Sequence, residues 1–280
     1  MNDKPDARNW RNPLSVENAG AGRIAASLTL GRELRRKTSA GCALGTFVIE
    51  CPVPATLDAL ALAGFDFVVL DMEHSVVDFS RLELLIAAGQ AAGLPTLVRP
   101  WGEDVGLIGK VLDLGASGIM VPHVDSADRA RSIVEQARFA PDGGRGLCPL
   151  GKYDSLSEPL RMLNDSTYVV VQIEGRGAIE RIAEITAVPG IDAVFVGPYD
   201  LAMSLGVPPG SAPVFEAAAR MATAVPHGPA LGIYIDDPVN CAEWAARRFS
   251  LQVVSFDGRM LSNAARSLVT QARLGLRGKA

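Results

Sequence analysis

Lysine is nearly missing from this chain. There are five in 280 residues, Lys4, Lys37, Lys110, Lys152 and Lys279, and none falls in a stretch that reads as a strand. A barrel enzyme that activates a carbonyl through a Schiff base needs such a lysine, so that chemistry has no candidate. Cysteine is sparse: Cys42, Cys51, Cys148 and Cys241 form no C-x-x-C pair. They read as small buried hydrophobes, Cys51 excepted because it follows Glu50 at a strand end. With no apolar signal core at the polar N-terminus, the expected compartment is a reducing cytoplasm. IAASLTL (24–30) is too short for such a core and sits between Arg23 and Arg32. No apolar run reaches the roughly 18 residues of a membrane span. Positive charge is not in excess either. The net charge of −4 argues against nucleic acid as a partner. Neither a dinucleotide glycine fingerprint nor a P-loop occurs.

What is present is ordinary globular composition, 48% hydrophobic and 21% charged, arranged in a regular alternation. Residues 1–40 read as an N-terminal extension. Its first twenty are rich in Asn, Pro and Gly, and GRIAASLTLGRELRRKTSA predicts a helix over one end of the domain. From 41 to 280 the pattern is strand then helix, eight times. The strands are CALGTFVI, FDFVVL, TLVRP, SGIMVP, YVVVQIE, AVFVGP, ALGIYI and LQVVSF. The helices are expected near 54–63, 79–92, 104–114, 126–138, 177–186, 213–223, 238–247 and 259–275. One more is expected near 156–164 in a long fourth connection, and a loop follows the sixth strand. Gly64, Gly93, Gly115 and Gly190 read as helix ends. Short, mainly apolar strands each followed by an amphipathic helix imply parallel βαβ units, and eight of them close a (β/α)8 TIM barrel.

In such a barrel, side chains at strand C-termini share one face. Here those ends carry Asp71, Glu73 and His74, then Arg99, His123, Glu174 and Asp200. Glu174 and Asp200 are hard oxygen donors on adjacent strand ends and suit Mg²⁺ or Mn²⁺, with Co²⁺ a third choice. The alternative is that each caps the helix that follows it. Asp71 three residues before His74 is expected to bond one ring nitrogen and make the other a better base. Arg99 is placed to fork a carboxylate of a small anionic substrate, or to bridge to a neighbouring loop acid. His123 either lines the pocket or packs at the end of strand four, packing being preferred. His227 reads as a solvated turn residue.

These residues stand in stretches that carry a family resemblance. AGFDFVVLDMEHS, LVRPW, VLDLGASGIMVPHV, RFAPDGGRG, VVVQIE and VFVGPYDLAMSLG, in that order between about Ala43 and Ala272, resemble the HpcH/HpaI family of class II pyruvate-dependent aldolases. The resemblance implies that Glu174 and Asp200 bind the divalent metal, that His74 with Asp71 is the acid–base group, and that Arg99 binds the keto acid and steadies its enolate. It further implies that Gln172, Gly197 and Pro198 line the pyruvate pocket and that Phe47 is the aromatic of the first strand. Asp113 would reach a neighbouring subunit's site, in a homohexamer built as a trimer of dimers that exchange the last helix. The implied partners are a 2-oxo acid, pyruvate or oxaloacetate, and an aldehyde or keto acceptor. The implied reaction cleaves or forms a 4-hydroxy-2-oxo acid. Some relatives use the same enolate chemistry as a citrate synthase or as macrophomate synthase-like decarboxylases. The N-terminal extension, the loop CPLGKYD and the compressed segment AVPHGPAL depart from the family pattern.

Overall fold

The structure is a computed structural model that describes residues 21–102, 104–147 and 160–277. The first twenty residues, Cys148, Lys152 and the loop CPLGKYD lie outside them. Eight parallel strands close a barrel in sequence order: β1 (Ala43–Val48), β2 (Phe67–Asp71), β3 (Thr96–Arg99), β4 (Gly118–Val121), β5 (Tyr168–Ile173), β6 (Ala193–Val196), β7 (Ala230–Ile235) and β8 (Phe249–Phe256). The helices are α1 (Ala21–Ala40), α2 (Pro54–Ala63), α3 (Phe79–Ala91), α4 (Gly106–Asp113), α5 (Ala127–Ala137), α6 (Leu160–Ser166), α7 (Arg176–Glu180), α8 (Ile182–Thr186), α9 (Pro198–Leu205), α10 (Ala212–Ala224), α11 (Cys241–Ala246) and α12 (Asp257–Arg277). The (β/α)8 expectation therefore holds.

The strands are covered on both faces, so their residues sort into two layers by the period of two. Val68, Leu70, Val98, Ile119, Val169 and Val171 point out and pack under the helices. Phe67, Val69, Leu97, Met120, Tyr168, Val170, Ala193 and Phe195 point in and fill the barrel. The same alternation, carried to the C-terminal ends, turns Asp71, Arg99, Gln172 and Glu174 inward. The apolar filling below them is a floor that keeps water out of the base of the site. α1 closes the opposite end: Leu34 is fully buried with the inner layer. The Thr38 and Tyr168 hydroxyls lie 3.0 Å apart, and Arg35 Nε donates to Asp192 at 2.7 Å.

Two expectations change. The segment after β6 was read as a loop but is α9. Pro198 stands in its first turn, where a missing N–H costs nothing, and Gly206 ends it at φ 71°. The helix expected near 177–186 is two short helices, broken at Arg181 (φ −101°, ψ 13°), whose Nε folds back on the Gly177 carbonyl at 3.2 Å.

Two local features fix the rim and the wall. At the rim, Asp257 is buried and accepts the Ile49, Glu50 and Cys51 N–H groups at 3.0, 3.1 and 2.7 Å, clamping the end of β8 to the end of β1. In the wall, a Cβ on Gly118 would lie 2.0 Å from the Tyr168 carbonyl oxygen on the paired strand. Backbone cannot yield as a side-chain tip can. Gly118→Ala is expected to cost about 3 kcal/mol by overpacking, read as a lowered Tm in scanning calorimetry. An unchanged Tm would mean that β4 and β5 are not this close.

Candidate active site

A cavity of about 350 Å³ opens at the C-terminal ends of the strands, with Phe47, His74, Arg99, Gln172, Gly197, Pro198 and Asp200 among its lining. A larger hollow of about 740 Å³ lies at the other end, between α1 and the α8–β6 turn. Its Arg35 and Arg138 are already bonded to Asp192 and to backbone carbonyls, which makes it structural.

Asp71 and Arg99 are register partners on β2 and β3, so their inward side chains meet. Arg99 forks Asp71 through Nε at 2.9 Å and Nη2 at 2.8 Å. Asp71 also accepts the backbone N–H groups of Glu73 at 2.9 Å and His74 at 3.3 Å. The expected bond from Asp71 to the His74 ring is therefore absent. Asp71 is fully buried, while the His74 side chain is 59% exposed with Nε2 3.7 Å from Glu73 Oε2. Asp71 holds the arginine by its side chain and His74 only by its backbone. Burial works against the Arg99 cation, but the bond and charge of Asp71, reinforced by Glu73 and Glu174, keep its pKa above the ordinary value. The Phe47 ring lies beneath the guanidinium at 4.6 Å, a cation–π contact.

Glu174 is buried. Its Oε2 accepts from Gln172 Nε2 at 2.5 Å, and its Oε1 accepts the His123 backbone N–H at 2.7 Å. Burial pushes the Glu174 carboxyl up, and the charges of Asp200 and Glu73 add to this against the opposing bond and charge of His123. The helix-cap alternative fails for both acids, because α7 and α9 begin at Gly175 and Gly197 without a side-chain cap bond. Asp200 stands exposed in the first turn of α9. A Cβ on Gly197 would meet Glu174 Oε2 at 2.7 Å and Gln172 Nε2 at 2.8 Å, so only glycine leaves these two groups in place.

His123 does not pack at the strand end. It takes φ 56° and spans two carboxylates, with Nδ1 2.8 Å from Glu174 and Nε2 3.1 Å from Glu73. Glu73 also lies 3.3 Å from Arg99 Nε. No role was read for Glu73, yet it follows Asp71 by two, the spacing that keeps a side chain on one face. Asp113 is not brought to this cavity. It sits at the end of α4 and pairs with Arg145 at 2.6 Å.

Among the described residues no three His, Cys, Asp or Glu side chains close around one point. The donors nevertheless suit a divalent cation with a largely water or substrate shell. Glu174 and Asp200 offer hard oxygens whose like charges repel, and Gln172 Oε1 is buried without a partner beside them. A cation relieves the first and satisfies the second.

The profile of the HpcH/HpaI aldolase/citrate lyase family matches residues 47–264. A 2-dehydro-3,6-dideoxy-6-sulfogluconate aldolase of Pseudomonas putida is 37% identical over 166 residues, 58% of this chain and 65% of that protein, just under two thirds of its length. A hydroxypyruvate/pyruvate aldolase of Roseovarius nubinhibens is 33% identical over 232 residues, 79% of this chain and 88% of that one. The crystal structure of the citrate synthase SbnG superposes with a TM-score of 0.77 at 30% identity, covering 86% of this chain and 98% of the other.

Proposed function

Because the chain belongs to the HpcH/HpaI aldolase/citrate lyase family, we propose that it is a divalent-metal-dependent aldolase. It cleaves a 4-hydroxy-2-oxo acid to pyruvate and an aldehyde, or joins them, through the pyruvate enolate. The observation that carries this is the shared cavity of His74, Arg99, Gln172 and Asp200, with buried Glu174 bonded to Gln172 behind it. Glu174 and Asp200 hold the cation, Mg²⁺, Mn²⁺ or Co²⁺, which supplies Lewis-acid polarisation of a ketone oxygen. Arg99, fixed by Asp71 and backed by Phe47, pairs with the substrate carboxylate and stabilises negative charge that develops on the enolate oxygen. Asp71 donates no proton. It sets the position of Arg99. Gly197 and Pro198 give a backbone wall that lets the substrate approach closely. In cleavage His74 takes the proton from the C4 hydroxyl, the C3–C4 bond breaks, its electron pair enters the enolate, and C3 then takes a proton to give pyruvate. In synthesis His74 returns that proton to the new hydroxyl oxygen.

A screen of 4-hydroxy-2-oxo acids, with and without cation and coupled to pyruvate detection, tests this directly. A general acid–base group contributes roughly 10²–10⁴-fold. His74 is exposed enough for water to replace it in part, so His74→Ala is expected at the low end, about 10²-fold in kcat. A near-normal kcat would remove this role.

The likeness to the SbnG citrate synthase supports a second reading in which the same enolate chemistry serves oxaloacetate in a biosynthetic synthase or decarboxylase. Incubation with oxaloacetate and cation separates the two, since condensation products or rapid pyruvate release favour it.

We also assign a homohexamer in which α12 is exchanged between protomers and Asp113 reaches a neighbour's cavity. Support comes from the apolar residues that α12 leaves exposed, Leu261, Leu268, Val269, Leu274 and Leu276. Light scattering on the full chain reads the stoichiometry. A reducing cytoplasm is the compartment assigned, in keeping with the free thiols of Cys42, Cys51 and Cys241. No helix among the described residues is long and apolar enough to cross a membrane.

A further inference from the structure

The cavity has two unlike halves. His74, Arg99, Gln172 and Asp200 make one of them polar, and the chemistry above uses it. The other is walled by Phe47, Ile49, Tyr199, Tyr234, Phe256 and Arg259. Its rings form a continuous set: Phe47 and Tyr234 have centroids 6.2 Å apart, and Tyr199 and Tyr234 5.9 Å. Arg259 lies over the Phe256 ring at 5.1 Å.

Two of the polar tips of this wall are engaged on one carboxylate. Tyr199 donates its hydroxyl to Asp236 Oδ2 at 2.6 Å. Arg259 Nη1 bonds Asp236 Oδ1, and the charge of Asp236 also acts on the Tyr234 hydroxyl. Burial, with the charge of Asp236, holds the Tyr234 hydroxyl above its ordinary pKa, so it stays protonated. The wall thus presents mainly ring carbon, with the Tyr199 hydroxyl and Arg259 Nη1 turned to Asp236. A polyhydroxylated acceptor would lose water at its hydroxyls and find no replacement. An acceptor bearing a carboxylate or phosphate would meet an arginine whose charge Asp236 already balances.

Resting on the aldolase reading above, we propose that this wall is the acceptor subsite and that it selects an apolar aldehyde, an aromatic one best. In the bond-forming direction, C3 of the enolate attacks the aldehyde carbon, the carbonyl π pair moves to the aldehyde oxygen, and that oxygen takes one proton. The remainder of the aldehyde lies against Tyr199, Tyr234 and Phe256. The volume of about 350 Å³ falls within the roughly 300–1,000 Å³ of small-molecule pockets and leaves room for pyruvate and a single ring. Burial of ring surface on the wall favours the aromatic acceptor.

The test uses the full chain with Mn²⁺ and pyruvate, in two measurements. Exchange of the pyruvate methyl protons with D₂O, followed by NMR without any aldehyde, reports enolate formation alone. Initial rates with benzaldehyde and with glyceraldehyde then report the acceptor. The expected result is exchange, together with kcat/KM at least tenfold higher for benzaldehyde. Tyr234→Ser and Tyr199→Ser should each move that ratio at least threefold toward glyceraldehyde, a change that a general loss of folded enzyme does not produce. Exchange with equal rates for the two aldehydes, or with glyceraldehyde preferred, overturns the acceptor assignment and leaves the aldolase reading intact. Absence of exchange overturns the aldolase reading and the acceptor assignment with it.

Discussion

Arg99→Ala is expected to lower kcat/KM by about 10³-fold or more and to lower Tm by on the order of 10 °C. The two effects have separate causes. The rate loss follows from removing the guanidinium placed to meet charge that develops on the enolate. Deleting a preorganised donor at such a position costs roughly 10²–10³-fold, and here substrate carboxylate binding is lost too. The stability loss follows from Asp71. It is fully buried and takes both Nε and Nη2 of Arg99, so the variant leaves an uncompensated carboxylate inside the barrel. Breaking a buried pair from one side costs about 3–5 kcal/mol, and each 1 kcal/mol is worth roughly 2–4 °C in a domain of this size. Arg99→Lys keeps the charge and loses the fork. It should recover part of Tm but little of kcat/KM. Thermal melts beside steady-state rates check the set. An Arg99→Ala enzyme within tenfold of the parent would remove arginine from the reaction.

Glu174→Gln and Asp200→Asn should each reduce turnover by about 10³-fold or more and weaken Mn²⁺ binding in calorimetry. A Lewis acid contributes several kcal/mol of charge stabilisation, and each variant halves the formal charge of the protein ligands. The two are not equivalent. Asp200 is exposed and its loss leaves the fold alone. Glu174 is buried and bonded to Gln172 and to the His123 backbone, so its replacement also disturbs the end of β4. Acidity should act through the same residue. A cation needs the ionised form, and burial with the charges of Asp200 and Glu73 raises the Glu174 pKa. Cation binding is therefore present above that raised pKa and lost as pH falls through it, at higher pH than for a solvated glutamate. Equal Mn²⁺ affinity in parent and both variants would disprove this pair as the ligands.

The barrel was legible because both of its signals are local. A run such as YVVVQIE is apolar without alternation through Val171 and then carries Gln172 and Glu174 at its end, as a strand buried on both faces does. The four glycines read as helix ends all have positive φ, between 67° and 96°. Placement of Asp71, Arg99 and Glu174 on one rim followed from strand ends alone, and Gln172 from the family resemblance. What the order of residues could not give was pairing across the rim. Asp71 lies three residues from His74 but directly beside Arg99 on the next strand, and register decides that contest. His123 was hidden for a related reason. Its place depends on a left-handed backbone turn at the end of β4, which non-glycine residues seldom adopt and no pattern announces. α9 was missed because only Gly197 separates the end of β6 from the helix, which leaves no linker to mark its start.

α12 begins inside the wall and ends far from it. Arg259 in its first turn holds Asp236, Asp257 pins the end of β1, and the whole rod is 21 residues long, about 30 Å at 1.5 Å per residue. Its outer two thirds are exposed on this chain, so under the proposed exchange of α12 the helix that gives Arg259 to one cavity would take its outer cover from a neighbouring protomer.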